Sequence, residues 1–264
     1  MMAAFAFRHG YCFAYDMLLF LSTGKLFLFL YRQFLGDRKV SQIAYNEFKF
    51  LVTNEKLNYV KSLLRGFYGE SDLFPEGVVD SIYYDSQSRE CYRQCLDGEP
   101  QKSKFRIRGY GDNKFSQVHL KSKDVFGVSK LKNPIFWQQE RGLFAPSWES
   151  LRQAAGEKAG ASFHSIMAAA DQFGPMQPAI RVRYYRYRYR IHDYRMTLDT
   201  RIEVQGFSNG WDQRLNYGVI PYHVLELKTL DSRPVLPFMN LTQLPQVSFS
   251  KFFLGLQLLE LGAV

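Results

Sequence analysis

The chain has 264 residues, of which 46% are hydrophobic and 22% are charged, a balance that excludes a disordered protein and suits one large globular domain. Its formal net charge of +9 favours polyanionic partners, among them nucleic acid, acidic lipid and phosphate compounds. The three cysteines (Cys12, Cys91 and Cys95) form no CxxC pair and no cluster with histidine, which argues against a zinc site. We therefore expect a reduced, cytoplasmic protein.

Residues 1–40 form a hydrophobic lead segment with an uneven pattern. Two apolar runs, Met17–Leu21 and Leu26–Leu30, are separated by Gly24 and Lys25. A membrane-spanning helix needs roughly 18 consecutive apolar residues, and a signal peptide needs one continuous apolar core. Three interpretations stay open for this segment: an amphipathic lead helix, a vestigial N-terminus and a segment that associates with a membrane.

From about Ser41 the pattern becomes that of short strands connected by turns. Tyr45–Val52 alternates in polarity as a strand does, and Thr53 then offers a cap to a helix with apolar residues at helical spacing. The pattern further predicts strands over 78–85, 104–110 and 115–123, with a short helix or turn over 86–96.

The second half of the chain predicts helices first and then more strands. Residues 133–173 lose the strand pattern and fit helices, which we interpret as a helical insertion and not as a second domain. Strands are predicted again over 179–191, 195–204 and 222–230. A final helix, 248–261, is expected to pack on the sheet.

Basic residues are placed at alternate positions within several predicted strands. Lys104, Arg106 and Arg108 share one strand face, because strand side chains alternate between faces. The same alternation recurs at Lys121 and Lys123, and at Arg186, Arg188 and Arg190. These faces are either ordinary solvent faces or the inner walls of one cavity. Two like charges 4 Å apart repel by about 4 kcal/mol at an effective dielectric of 20, so a converging set would require bound anions. Guanidinium groups match phosphate oxygens in bidentate geometry.

Several short strings occur in an order that is specific in combination. They are Glu47-Phe48-Lys49-Phe50, Ser81-Ile82-Tyr83-Tyr84-Asp85, Phe105-Arg106-Ile107-Arg108-Gly109-Tyr110-Gly111, Tyr184-Tyr185-Arg186, Arg195-Met196-Thr197-Leu198-Asp199, Leu225-Glu226-Leu227-Lys228 and Phe249-Ser250-Lys251-Phe252. Over residues 45 to 255 the chain thus resembles the vacuolar transporter chaperone (VTC) domain. That domain is the polyphosphate polymerase branch of the triphosphate tunnel metalloenzymes.

The resemblance implies an α+β fold over residues 41–264: an antiparallel β-barrel tunnel with flanking helices and a helical insertion. It also implies transfer of the γ-phosphoryl group of ATP to a growing polyphosphate chain, with Mn²⁺ or Mg²⁺ held by Glu226. The implied phosphate ligands are Lys49, Arg106, Arg108, Lys121, Lys132, Arg186, Arg195 and Lys251. Among these, the resemblance assigns catalysis to Arg106, Arg108, Lys121, Arg186 and Arg195.

The chain departs from the pattern of the family at several positions. Tyr45 and His119 stand where acidic residues are common, Ser248 stands where a lysine is common, and Arg188 replaces a small residue. These departures leave two alternatives open, a non-catalytic module that binds polyanions and a tunnel triphosphatase. The expected partners are ATP and inorganic polyphosphate and not nucleic acid, since no nucleic-acid-binding motif accompanies the Arg/Tyr run. The sequence identifies no partner protein.

Overall fold

The computed structural model divides into two units, residues 1–43 and residues 44–264. It describes residues 46–68, 74–111, 114–124, 127–138, 145–155, 159–191, 194–207, 216–234 and 236–262. The lead segment predicted over residues 1–40 lies outside this described part. Among the described residues, no helix combines the length and the apolar character that crossing a bilayer requires.

The described part is built on one antiparallel sheet of nine strands. In chain order these strands are β1 (Asn46–Val52), β2 (Glu76–Ser86), β3 (Lys102–Tyr110), β4 (Lys114–Asp124), β5 (Gly127–Gln138), β6 (Met176–Ile191), β7 (Tyr194–Gly206), β8 (Tyr217–Ile220) and β9 (His223–Thr229). Hydrogen bonding places them in the spatial order β1-β9-β7-β6-β2-β3-β4-β5, and β8 pairs with β7 alone. The helices are α1 (Asn54–Tyr68), α2 (Glu90–Leu96), α3 (Trp148–Ala155), α4 (Ala161–Asp171), α5 (Pro237–Thr242) and α6 (Lys251–Leu261).

The sheet curls until strands near its two ends face each other. Lys121 Nζ on β4 lies 3.3 Å from Glu47 Oε2 on β1. In the strand order β1 is the first strand and β4 is the seventh of eight, so a flat sheet would keep them far apart. Between the described residues of β1 and β5 there is no strand pairing. The expected antiparallel tunnel is therefore confirmed, as a curled sheet that is not strictly closed.

Alternation along β3 shows how the sheet is buried on both faces. Phe105 and Ile107 point outward and are fully buried, and the Phe105 ring packs against Trp148 of α3 at 5.9 Å and against Phe173 at 5.4 Å. The basic residues of β3 point to the concave face. The helical insertion therefore covers the outer face of the strand whose inner face carries the cations.

Helix α6 lies close against β6 and β7. A Cβ atom at Gly255 would meet Ile180 Cδ1 at 2.7 Å and Val204 Cγ1 at 2.9 Å, so only glycine permits this approach. Ser250 begins the helix and its Oγ accepts a hydrogen bond from the Phe253 amide at 3.3 Å. Close packing thus fixes the position of Lys251, the first residue of the helix.

A second hydrophobic cluster joins α1 to the outer face of β7 and β9. It includes Val60 and Leu64 of the helix, with Leu198, Leu225 and Leu227 of the strands. This cluster holds β9 and β1 in place, so that their polar faces are directed into the tunnel.

The structure differs from the sequence-based expectation in three elements. The strand pattern does not stop at Asn133, because β5 runs on to Gln138. Pro134 falls within this strand, which is tolerated because β5 is an edge strand and pairs only with β4. The four-residue strand β8 and the short helix α5 were not predicted. Both are too short for a periodic signal.

Candidate functional site

Two walls of the curled sheet contribute charged side chains to the concave face. We call the first the arginine wall: Arg106 and Arg108 of β3, with His119 of β4 and Lys130 of β5. We call the second the carboxylate wall: Glu47 of β1, Glu226 of β9 and Asp199 of β7, with the Lys and Arg side chains that contact them. The strand registers place Arg106 opposite His119 and Glu226 opposite both Lys49 and Thr197.

Arg106 is buried on the arginine wall, and its hydrogen bonds among the described residues go to a phenol and an imidazole. The guanidinium is 8% exposed, donates from Nη1 to the Tyr83 hydroxyl at 2.9 Å and donates from Nε to His119 Nδ1 at 3.2 Å. Burial raises the pKa of Tyr83, but Arg106 and Arg108 lower it more, to about 7. The phenol therefore carries part of the negative charge that a carboxylate would otherwise supply.

His119 does not neutralise Arg106, although it occupies a position where the family often has an acid. Its Nδ1 accepts from Arg106, so the ring proton lies on Nε2 and is donated to Gln117 Oε1 at 2.8 Å. Burial, followed by the charges of Arg106 and Lys130, holds the pKa of His119 far below its ordinary value. The imidazole is neutral at physiological pH.

Arg108 is held in the same way as its neighbour. It is 6% exposed, donates from Nε to Ser81 Oγ at 2.9 Å and donates from Nη2 to the Tyr184 hydroxyl at 3.2 Å. Among the described residues, no carboxylate lies within ion-pair distance of Arg106 or Arg108. Buried charges are normally paired, so these two guanidinium groups are suited to receive an anion.

Lys130 belongs to this wall and was not among the residues predicted from the sequence. Burial, then the charges of Arg106, Arg108 and Lys132, lowers its pKa to about 5. Lys132, the predicted ligand, shares the same strand face but is exposed. The register Lys121↔Lys130 would have indicated this residue, but β5 was not recognised as a strand.

On the carboxylate wall, Glu47 contacts three ammonium groups. Its carboxylate lies 2.8 Å from Lys49 Nζ and 3.3 Å from Nζ of both Lys121 and Lys228. Burial and Glu226 raise the pKa of Glu47, yet the three lysines lower it to about 2. The sequence had marked this glutamate only as part of a strand motif.

Glu226 is almost completely buried beside the same lysines. Its Oε1 lies 3.2 Å from Lys228 Nζ. Burial opposes the charged form, but Lys228, Arg186 and Lys49 hold the pKa of Glu226 well below its ordinary value. Both Glu226 and Glu47 are thus deprotonated and contact the same lysine.

Asp199 forms ion pairs with two of the predicted phosphate ligands. Arg186 donates to it through Nε at 2.6 Å and Nη2 at 2.8 Å, and Lys251 Nζ lies 2.6 Å from its Oδ2. Burial opposes the charged form of Asp199, but Arg186 and Lys251 lower its pKa. The carboxylate therefore fixes both cations in position and offsets one of their two positive charges.

The structure brings most of the predicted site residues to one concave face, although their roles as ligands stay predictions. Those brought together are Lys49, Arg106, Arg108, Lys121, Arg186, Glu226 and Lys251. Arg195 is exposed at the beginning of β7, where its register partner is Lys228. Of the positions where the chain departs from the family, Ser248 is exposed and Tyr45 lies outside the described residues.

The carboxylate wall offers a limited donor set to a divalent metal. Within the described ranges there is no group of three or more His, Cys, Asp or Glu side chains that could hold an ion. Mg²⁺ characteristically binds through one or two carboxylates together with substrate phosphates, and Mn²⁺ also prefers oxygen ligands. Glu226 and Glu47, both deprotonated, fit that mode, in which phosphate oxygens complete the coordination.

A concave antiparallel sheet lined with cations is the architecture of the class of triphosphate-tunnel proteins. The sequence profile of the VTC domain family matches residues 44–260. The chain belongs to the VTC domain family.

Comparison with solved structures found distant similarities. A candidate adenylate cyclase from Bacillus halodurans is 13% identical, with 78% of this chain and 94% of that chain covered and a TM-score of 0.49. A candidate adenylate cyclase from Vibrio parahaemolyticus is 11% identical over 78% and 94% of the two chains, with a TM-score of 0.40. The PH1819 protein from Pyrococcus horikoshii is 14% identical over 72% and 79%, with a TM-score of 0.36. A comparison with curated proteins found no match.

Proposed function

We propose that this protein is a polyphosphate polymerase that transfers the γ-phosphoryl group of ATP to a growing polyphosphate chain inside the curled sheet. The observation that carries the proposal is the arginine wall, on which Arg106 and Arg108 are buried with no carboxylate partner among the described residues. A phosphate chain supplies the negative charge that these guanidinium groups lack. Family membership supports the same substrate class.

The residues suit phosphoryl transfer because that reaction asks mainly for positioning and charge neutralisation. Arg106, Arg108 and Lys130 bind the phosphate chain from one wall. Arg186 and Lys251, fixed by Asp199, approach it from the other wall and orient it. The reacting oxygens are thereby held in line without covalent participation of the protein.

Glu226, with Glu47, would hold Mn²⁺ or Mg²⁺ against the phosphates of the nucleotide. When bound there, the metal supplies charge neutralisation on the β- and γ-phosphate oxygens. The protein keeps both carboxylates deprotonated by surrounding them with Lys49, Lys121 and Lys228. Neither carboxylate needs to lose a proton before the metal binds.

A second candidate function is a non-catalytic module that binds polyanions. It is favoured by His119, which leaves Arg106 without an acidic partner, and by Ser248, which is exposed where the family often has a lysine. Such a module would bind tripolyphosphate with comparable strength but would form no product. A tunnel triphosphatase would instead release orthophosphate from tripolyphosphate.

The decisive experiment is incubation of purified protein with ATP and Mn²⁺, followed by gel electrophoresis that resolves polyphosphate by chain length. The proposal predicts chains that lengthen with time and disappear when EDTA replaces the metal. Tripolyphosphate binding without any product would establish the binding module instead. Orthophosphate release from tripolyphosphate without chain growth would establish the triphosphatase.

A further inference from the structure

Thr197 carries a buried hydroxyl group for which no hydrogen-bond partner is found among the described residues. The residue is 4% exposed, and within the described ranges its Oγ1 neither donates nor accepts a hydrogen bond. The large majority of buried side-chain polar atoms in proteins have at least one hydrogen-bond partner. An unpartnered hydroxyl at this depth therefore requires an explanation.

The position of Thr197 places this hydroxyl on the concave face between the charged groups of the site. In β7 it lies two residues from Asp199, on the same side of the strand. Its register partners are Glu226 on β9 and Arg188 on β6. Side chains directly opposite each other on neighbouring strands lie about 5 Å apart at Cβ, so all three groups border one space.

The neighbours of Thr197 are engaged elsewhere and do not satisfy it. Glu226 is directed to Lys228 Nζ at 3.2 Å, and Arg188 donates from Nη1 to the Phe74 carbonyl at 3.0 Å. The hydroxyl is consequently available to a ligand that enters the tunnel. Glu226 and Asp199 border this row of side chains, but the cations around it outnumber them: Arg188, Lys49, Arg186 and Lys251. An anion is therefore the ligand that this environment favours.

We propose that the Thr197 hydroxyl is a positioning group that donates a hydrogen bond to a non-bridging oxygen of the phosphate chain bound in the tunnel. The inference rests on the proposed function for its ligand class and adds a residue to which that function assigns no role. A neutral donor beside Glu226 binds phosphate without adding charge where the metal is expected. Its contact would place one phosphoryl group next to the metal carboxylate.

The test compares Thr197→Val with wild-type protein by calorimetric titration of tripolyphosphate in EDTA. Valine keeps the shape of threonine and removes the hydroxyl. The affinity is expected to fall roughly tenfold, the effect of losing a hydrogen bond to a charged group. Thr197→Ser keeps the hydroxyl and is expected to bind within about twofold of wild type.

Thermal unfolding without ligand distinguishes a hydroxyl that binds ligand from one that only stabilises the fold. Replacing an unsatisfied buried hydroxyl by a methyl group of the same shape is neutral or stabilising, so the Tm of Thr197→Val is expected to stay level or rise by roughly 2–4 °C. The additional rise in Tm on adding tripolyphosphate is expected to be smaller than in wild type.

Thr200→Val is the matched control, because Thr200 is equally buried on the same strand but faces away from the tunnel. Its Oγ1 donates to the Tyr185 carbonyl at 3.4 Å. This variant is expected to lose stability, or keep it, while tripolyphosphate affinity stays at the wild-type value.

Two results would overturn the inference while leaving the proposed function intact. One is that Thr197→Val binds tripolyphosphate in EDTA with wild-type affinity. This includes the case in which binding falls only when Mn²⁺ is present, because the hydroxyl would then act through the metal. The other is a clear drop in Tm of ligand-free Thr197→Val, which would mark the hydroxyl as structural. Failure of the wild-type protein itself to bind tripolyphosphate would overturn the inference together with the proposed function.

Discussion

The two walls of the tunnel treat their buried charges in opposite ways. On the carboxylate wall each acid is surrounded by cations, as Asp199 is by Arg186 and Lys251. On the arginine wall Arg106 and Arg108 are held by hydroxyl groups and an imidazole, with no carboxylate among the described contacts. Ion pairs therefore hold the charged groups of the carboxylate wall, whereas no described ion pair holds Arg106 or Arg108.

The difference indicates which wall depends on a ligand. Lys130 has a pKa of about 5, because it is buried and faces Arg106 and Arg108, whereas burial of Lys228 is outweighed by Glu226 and Glu47, which raise its pKa. The low pKa of Lys130 thus reflects burial close to the positive charges of Arg106, Arg108 and Lys132. We therefore propose the arginine wall as the phosphate-binding wall, and the carboxylate wall as the one that orients the chain and would hold the metal.

The largest effect is expected from Glu226→Gln, which removes one charge from the carboxylate wall and keeps its volume. If Glu226 holds the metal, metal-dependent turnover should fall by about 10³-fold or more, as with loss of other groups that stabilise transition-state charge. Binding of tripolyphosphate in EDTA should persist or tighten, since one repulsive carboxylate has gone. Turnover assays across a Mn²⁺ series and a parallel metal-free titration measure the two effects.

Glu203→Gln is the control for this prediction. Glu203 lies on β7 with its register partner Arg183 and belongs to neither wall. Wild-type turnover with an unchanged Mn²⁺ requirement in Glu226→Gln would remove Glu226 from the metal site. Equal losses in both variants would show that the effect is not local.

The next largest effect is expected from Arg106→Met on the arginine wall. Methionine keeps an unbranched apolar chain and removes the guanidinium, and truncation of one partner of a buried charge pair costs about 2–5 kcal/mol. Metal-free tripolyphosphate affinity should accordingly fall roughly 100-fold, which a fluorescence or calorimetric titration measures. Arg183→Met, at an exposed position of β6, should bind as wild type does. A loss below twofold in Arg106→Met would contradict the assignment of the arginine wall.

Much of the arginine wall could be predicted from the sequence, because its geometry is local. Lys104, Arg106 and Arg108 alternate with buried Phe105 and Ile107, and a strand period of two places all three cations on one face. The aromatic and apolar alternation identified most of the other long strands in the same way. These features depend only on neighbours along the chain.

The carboxylate wall could not be predicted to the same extent, because its contacts join distant parts of the chain. Asp199 binds Arg186 in the next strand but also Lys251 in the last helix. Glu47 meets Lys121 only because the sheet curls. A cross-sheet contact of this kind has no periodic signal. The choice of Lys132 over Lys130 has a related cause, since burial depends on how β5 lies against its neighbours.

A smaller effect is expected from salt. Binding by several Lys and Arg side chains should weaken steeply as ionic strength rises from roughly 0.01 M to 1 M, over which the Debye length shrinks from about 30 Å to 3 Å. Tripolyphosphate titrations across this range should show a loss of at least tenfold in wild type and a shallower dependence in Arg106→Met. An affinity that stays flat with salt would argue against a cationic tunnel.

The smallest effect is expected from proton uptake by the arginine wall. In the free protein the low pKa of Lys130, about 5, keeps its amine largely neutral at pH 7. Burial raises the pKa of Tyr83, but Arg106 and Arg108 lower it to about 7, so the phenol is partly ionised. A bound phosphate chain adds negative charge beside both groups and raises both pKa values.

The sign of the pH dependence follows from that increase. Between the pKa of Lys130 in the free state and its higher value in the bound state, the complex holds more protons than the free protein, so affinity for tripolyphosphate falls as pH rises. Calorimetry at pH 7 in two buffers of different ionisation enthalpy should reveal net proton uptake. On binding tripolyphosphate, Lys130→Met should take up fewer protons than wild type. The difference approaches one proton if Lys130 is fully protonated in the wild-type complex. Because tripolyphosphate contributes its own protonation equally to both titrations, the difference between the two proteins isolates Lys130. Identical proton uptake in wild type and Lys130→Met would mean that phosphate does not bind beside Lys130. Lys130 would then not belong to the phosphate-binding part of the arginine wall.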